Sequence, residues 1–174
     1  DSVPILVMPM GYTRGQAHVT PNFNAAQSMK SFTKMTEPIT SAKEIPNVMR
    51  RAFTQLRNGR PGPVLVEIPA DLFGEEVENF SYKPTLSTRS GPDPEEVNTV
   101  VDVLMSAKDP VIYAGQGVHY AEAWPQLKRL AELLAIPVMT SLGGKSSFPE
   151  DHPLSLGSAG VAMSLSLHEF LHKA

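Results

Sequence analysis

Residues 59–71, Gly-Arg-Pro-Gly-Pro-Val-Leu-Val-Glu-Ile-Pro-Ala-Asp, constrain the fold more than any other part of the chain. Gly59 suits the left-handed position just past a helix, where a side chain is penalised. The Arg-Pro-Gly-Pro run that follows fixes the chain direction. Residues 64–68 are mostly β-branched and apolar, as in a strand covered on both faces. Pro69 cannot donate to a sheet ladder and is expected to end that strand. Helix, tight turn, buried strand and stop form an αβ unit. The expected class is therefore α/β, with parallel-sheet layers and flanking helices.

The helix before this turn spans 41–58. Ile45, Val48, Met49, Ala52, Phe53 and Leu56 fall on one stripe of a 3.6-residue period. Pro46 lies in the first turn, where its missing N–H costs little, and Arg57 complements the negative helix end. Upstream, residues 4–10 read as a buried strand that begins almost at residue 1. A strand of that kind needs neighbours, so the expectation is a chain that starts inside a domain. Residues 11–27 read as a polar loop. Residues 28–39 read as a short helix leading into an extended segment.

Residues 75–91 carry no periodicity and read as an interdomain connection. The expected boundaries are 1–77 for the first partial domain, 78–93 for the linker and 94–174 for the second. Asp93, Pro94, Glu95 and Glu96 open a new helix as cap, first position and acidic first turn. Its stripe is Val97, Val100, Val101 and Leu104. A strand at 110–114, a helix at 121–135 with Trp124, Leu127, Leu130, Ala131 and Leu134 inward, and a strand at 137–140 form a parallel βαβ crossover. A loop at 142–152 and a helix at 159–173 close the chain. Two evident strands are too few for a complete sheet, so the chain is also expected to end inside a domain.

Two constellations carry chemical potential. Gly115, Gln116 and Gly117 stand between a strand and a helix, where a backbone without side chains admits a phosphate. The turn reads either as a bare tight turn or as a nucleotide-lining one. The full dinucleotide fingerprint is not met, because Tyr120 holds the place of the third glycine and no acid ends the next strand. Thr140, Ser141 and Leu142 follow that next strand, at the sheet edge where α/β proteins bind ligands. Lys145 reads as a surface lysine or a phosphate contact. The run His168-Glu169-Phe170-Leu171-His172 matches the H-E-x-x-H zinc pattern. It fits the polar side of an amphipathic helix better, and a metal would need a distant ligand such as His152. His18 and His119 stand in loops as surface or hydrogen-bonding residues. Asp71, Glu75 and Glu76 read as a solvated turn. No Ser-His-Asp set emerges.

Composition narrows the partners. The 174 residues carry a formal charge of −3, which supplies no electrostatic reason for nucleic acid or an anionic membrane. The longest apolar run, 3–10, is too short to span a bilayer and lacks the basic start of a signal peptide. The chain has no cysteine, so disulfides and thiolate metal sites are excluded and a reducing, cytoplasmic setting is compatible.

The segment AFTQLRNGRPGPVLVEIPADL resembles the end of the first domain of thiamine-diphosphate-dependent enzymes, a superfamily that includes acetolactate synthase, benzoylformate decarboxylase, pyruvate oxidase and 2-hydroxyacyl-CoA lyases. SFTKMTEPI, with Thr33 and Lys34, is similar to a further segment of that pyrimidine-binding domain. Residues 107–160, from AKDPVIYAGQGVHY to HPLSLGSAG, resemble the first half of the central domain. The resemblance implies a fragment of an enzyme acting on 2-oxo acids or 2-hydroxyacyl substrates, inactive alone, whose partner is the remainder of the same enzyme in a homodimer or homotetramer. It implies thiamine diphosphate and Mg2+ in the parent, with the activating glutamate upstream and the magnesium motif downstream of this segment. It places Phe23 and Asn24 near the substrate. It also lets Gly115, Gln116, Gly117, Thr140, Ser141 and Leu142 line FAD or another adenine nucleotide. The competing expectations are a non-catalytic nucleotide-binding or scaffold module and a zinc hydrolase.

Overall fold

The computed structural model describes residues 2–88, 90–161 and 163–172. The chain is α/β and forms two compact units, Asp1–Gly91 and Pro92–Ala174.

The first unit contains β1 (Leu6–Val7), β2 (Met10–Gly11), α1 (Ala25–Ser28), β3 (Met35–Pro38), α2 (Ile45–Arg57) and β4 (Val64–Pro69). β4 is the centre of its sheet. β1 and β2 pair with it in parallel along one edge, at Leu6 with Val64 and Met10 with Ile68. β3 pairs with its other edge, also in parallel, with Met35 opposite Val64. The alternation of a strand then sorts the β4 side chains. Val64 and Val66 enter a core with Val48 and Ala52 of α2, Ile39, Ala42 and Leu72. Leu65 packs on the opposite face with Ala25 and Ala26 of α1. Each fully buried valine contributes roughly 1.5–3 kcal/mol, so the packing of α2 on β4 is one of the main sources of stability in this unit.

Pro69 stands as the last residue of β4. The expected buried strand at 4–10 is instead two short pairings, β1 and β2, with Val7, Met8 and Met10 exposed. One edge of that segment meets β4, and Leu6 packs against the core, but the side chains of Val7, Met8 and Met10 stay exposed. The helix expected after residue 28 lies before it, at α1, where the Asn24 carboxamide accepts from the Gln27 amide. After the 3-10 helix Ala70–Gly74, residues 75–88 form no helix or strand, yet part of this connection is strapped to α2. Arg50 and Arg57 donate to the Lys83 and Thr85 carbonyls, and Asn58 accepts from Thr88.

The second unit contains α3 (Pro94–Ser106), β5 (Ile112–Ala114), α4 (Gly117–Ala121), α5 (Trp124–Leu134), β6 (Val138–Thr140), β7 (Ser155–Ser158) and α6 (Leu165–Leu171). Asp93 caps α3 as the sequence implies, its carboxylate accepting from the Glu95 amide. The three strands are parallel in the order β5-β6-β7. Ala114, Ala131, Val138 and Phe148 form the core, with Val118 and Leu127 against it.

Four expectations change here. The helix expected at 121–135 forms as α5 and is preceded by a separate short helix, because Pro125 lacks an N–H and its ring would meet the carbonyl four residues back if the two ran on as one. α4 therefore ends with Glu122 in the left-handed conformation, and α5 begins at Trp124. Within α5, Ala131 is buried, while Trp124 and Leu130 are exposed. The stripe Val97, Val100 and Val101 of α3 is likewise exposed, Val100 at 64%, because the core of this unit forms between its sheet and α5. β7 adds a third strand that Ser-Leu-Gly-Ser did not announce, joined to β6 through a register shift. Finally, α6 is shorter than 159–173. Leu167 is its buried residue, Leu165 is exposed, and Lys173 lies outside the described residues.

Ala52 is fully enclosed between α2 and β4. Ala52→Leu is expected to overpack that contact and cost roughly 1–3 kcal/mol, read as a lowered urea midpoint with an unchanged slope.

Candidate functional site

The carboxyl ends of β2 and β4 open onto a cleft of about 520 Å³. Gly11, Tyr12, Gln16, Phe23, Ala25 and Glu67 are among its walls. Its position follows the rule that open parallel sheets bind ligands at the carboxyl ends of their strands. The surface is mainly apolar, with Phe23 and Tyr12 exposed in the first unit.

Glu67 is the polar anchor of this cleft. The alternation of β4 sends it to the α1 face, where it is only 7% exposed. Oε2 accepts from the Ala26 amide at 2.9 Å. Oε1 lies over Gly11 so closely that a Cβ added there would stand 2.6 Å away. Gly11 is thus a glycine because a carboxylate occupies its side-chain space.

The loop between β2 and α1 is tied down by Arg14. Its backbone amide and Nε donate to Asp71 at 3.0 and 2.7 Å, Nη1 donates to the Thr40 carbonyl at 3.1 Å, and Nη2 donates to Glu75 at 2.5 Å. Glu75 also accepts from the Ala42 amide at 3.2 Å. Asp71 and Glu75 stay solvent-accessible, as expected of that turn, and in addition they clamp the cleft loop. Glu76 is exposed. The Arg14 hydrogen bond holds the Asp71 carboxyl below the usual carboxylate range, and the same bonds raise Arg14.

Of the two expected substrate residues, Phe23 lines the cleft and Asn24 caps α1 through its carboxamide oxygen at 2.7 Å from the Gln27 amide. Glu67 and Arg14 were not singled out from the sequence. A charged residue inside the buried run 64–68 is the signal that could have found Glu67. Arg14 sits in a polar loop and carries no such signal.

In the second unit the loops after β5 and β6 meet. The Ser141 amide donates to the Ala114 carbonyl at 2.9 Å, and a Cβ on Gly143 would lie 3.5 Å from the Gln116 side chain. Gly115, Gln116, Gly117, Thr140, Ser141 and Leu142 are thus brought to one edge. Thr140 is buried and bonded to the Ser158 hydroxyl at 3.1 Å, whereas Leu142 is exposed. The helix after the glycine turn, α4, has only 5 residues, a weaker phosphate platform than a helix running on to 135.

The neighbouring loop is held by a side-chain relay. Trp124 Nε1 donates to His119 Nδ1 at 3.0 Å, so the imidazole proton sits on Nε2, which donates to the Lys145 carbonyl at 2.9 Å. Lys145 itself faces Glu150 at 3.6 Å. His168 and His172 stand edge to face with centroids 4.5 Å apart. His152 is bonded to Glu132 at 3.2 Å and packs on Phe148. Among the described residues no group of three metal-ligating side chains converges. None of the described helices is long and apolar enough to cross a membrane.

Comparison with known proteins decides the family. Residues 97–174 match the family described as thiamine pyrophosphate enzyme, central domain. This chain belongs to the thiamine-diphosphate-dependent enzyme superfamily. It is 35% identical to glyoxylate carboligase of Escherichia coli O157:H7 over 166 residues, covering 92% of this chain and 28% of that protein. It is 34% identical to acetolactate synthase of Mycobacterium bovis over 173 residues, covering 92% and 27%. The fold superposes on benzoylformate decarboxylase from Polynucleobacter necessarius with a TM-score of 0.79 and 27% identity, over 89% of this chain and 30% of that one. The chain therefore spans less than a third of the length of these relatives.

Two outcomes test the geometry. A Cβ on Gly144 would collide with the Ala114 carbonyl oxygen and come within 2.9 Å of the Gly115 carbonyl carbon. Gly144→Ala is expected to part the two loops and destabilise this unit by roughly 1–3 kcal/mol, seen as a lower melting temperature. The Arg14 clamp has a pH sign. Because the folded Asp71 pKa is lowered, its contribution is full above the ordinary carboxylate range and disappears as pH falls through the folded value. Limited proteolysis of residues 12–22 is expected to accelerate on acidification through and below that range, and Asp71→Asn to be susceptible already at neutral pH.

Proposed function

We propose that this chain forms part of an enzyme that uses thiamine diphosphate to cleave or join carbon–carbon bonds next to the carbonyl of a 2-oxo acid. The observation that carries the reading is the cleft at the carboxyl ends of β2 and β4, with aromatic walls and one buried carboxylate, in a chain of this superfamily. An apolar slot with a single oriented acceptor suits a flat heteroaromatic ring that bears a hydrogen-bond donor. That fits the aminopyrimidine end of the cofactor and supports reading residues 1–77 as a pyrimidine-binding region. No cluster among the described residues fits magnesium, so the metal and the diphosphate belong, in this proposal, to segments outside this chain.

When bound, thiamine diphosphate supplies a carbon nucleophile and a sink for the electrons released as the bond breaks. The residues of this chain bind and orient. Phe23 and Tyr12 offer apolar contact and exclude water from the slot. Glu67 presents an acceptor whose position is fixed by Ala26 and Gly11. Arg14 holds the loop that carries this wall. Phe23 is the residue we assign to substrate contact, and Asn24 supports it as the cap of α1.

In the second unit, the convergence of Gly115–117 with 140–142 supports an adenine-nucleotide site, FAD included. Magnesium, a homodimeric or homotetrameric assembly and a cytoplasmic location belong to the same proposal.

The test is made on the full-length protein containing this segment. With thiamine diphosphate and Mg2+, it is expected to consume pyruvate, glyoxylate or benzoylformate, followed by CO2 release and product mass. Absence of turnover with all three, together with no binding of thiamine diphosphate by calorimetry, overturns the reading. Mass analysis of small molecules released on denaturation reads the second site.

A further inference from the structure

We propose that Glu67 is the positioning residue for the cleft: by holding the first turn of α1 it sets where Phe23 stands against a bound substrate. The inference rests on the catalytic reading above and deepens it.

Four observations carry it. First, α1 has 4 residues, far below the length at which a helix persists in water by itself. Its place must come from tertiary bonds. Second, the amides of a helix's first turn have no partner within the helix, and here side chains supply them. Asn24 accepts from the Gln27 amide, and Glu67 accepts from the Ala26 amide. Asn24 belongs to the same local turn, so it fixes shape but not location. Glu67 comes from 41 residues away on the central strand, so it fixes location.

Third, the contact is enclosed. Glu67 and Ala26 are each 7% exposed, and Ala25, Ala26 and Leu65 pack together. Small residues on α1 let the helix lie close to β4, and a lost acceptor there would leave a buried N–H without a partner. Fourth, the carboxylate has little freedom to move. Its second oxygen occupies the space over Gly11, where a Cβ would lie 2.6 Å away. Phe23 stands one residue before the cap of α1, 63% exposed, and it lines the cleft. A shift of α1 therefore moves Phe23, while residues 10–13 of the opposite wall keep their own attachment through β2 and Arg14. A wall that moves by a fraction of a side chain changes how substrate is bound, which separates KM from kcat.

The experiment uses the full-length protein with pyruvate, glyoxylate and benzoylformate as probes and hydrogen exchange of residues 23–28 as a readout independent of turnover. Glu67→Ala is expected to deprotect the Ala26 amide and raise KM about tenfold, with the thiamine diphosphate Kd measured beside it because Glu67 also faces the cofactor. Glu67→Gln, which keeps an oxygen acceptor, is expected to restore protection and most of the affinity. Gly11→Ala displaces the same carboxylate from the other side and is expected to raise KM likewise, which keeps the proposal testable if Glu67→Ala does not fold. In a double-mutant cycle, Glu67→Ala is expected to add little to Phe23→Ala, because both act through one wall.

Unchanged protection in Glu67→Ala overturns the anchor. Unchanged KM despite lost protection, a Gln variant as impaired as Ala, or full additivity with Phe23→Ala overturns the positioning role. No turnover of any probe by the wild-type protein overturns the catalytic reading instead, and the exchange measurement still decides whether Glu67 anchors α1.

Discussion

β4 is hydrogen-bonded along both edges and buried on both faces, and the first unit depends on that double commitment. Its edges accept β1 and β2 on one side and β3 on the other. Its faces receive α2 through Val64 and Val66 and α1 through Leu65 and Glu67. A strand so placed cannot slip by one residue without turning Glu67 into the valine core and a valine toward the cleft. The register of the sheet and the position of the carboxylate are therefore one constraint.

From that constraint the site follows. β4 ends at Pro69, and the chain turns into a 3-10 helix at Ala70–Gly74. That turn carries Asp71, with Glu75 just past it, to Arg14, which ties the loop after β2. One wall of the cleft is thus held by an exposed ionic clamp and the other by a buried hydrogen bond to α1. The two differ physically. The exposed clamp is screened by solvent and salt, whereas the enclosed bond leaves an unsatisfied group if either partner is removed. The second unit repeats the principle with backbone contacts, where Gly144 lies against Ala114 and Gly115 and leaves no room for a side chain.

Local signals were legible wherever one residue type answers one local demand. The period of α2, the Asp93 cap, the left-handed Gly59 and the run 64–68 each follow from backbone and burial rules that act over a few residues. The misplaced elements had no such signal. β7 is Ser-Leu-Gly-Ser, which lacks β-branched residues and owes its state to pairing with β6. The apolar stripe of α3 has the right period, but period states only that a face is apolar, not what covers it. Pro125 did carry a signal for the start of α5 at Trp124, which the expected start at 121 ran past.

The sequence by itself determined the class, the order of the main elements and the superfamily, because these rest on local propensity and on motifs contiguous in the chain. Only the tertiary structure decided that Arg14 reaches Asp71 and Glu75, that Glu67 reaches Ala26, and that Gly11 is the space for a carboxylate. Each joins residues 41 or more positions apart. No local rule encodes such a contact; it exists once β4 has taken its place between its neighbours.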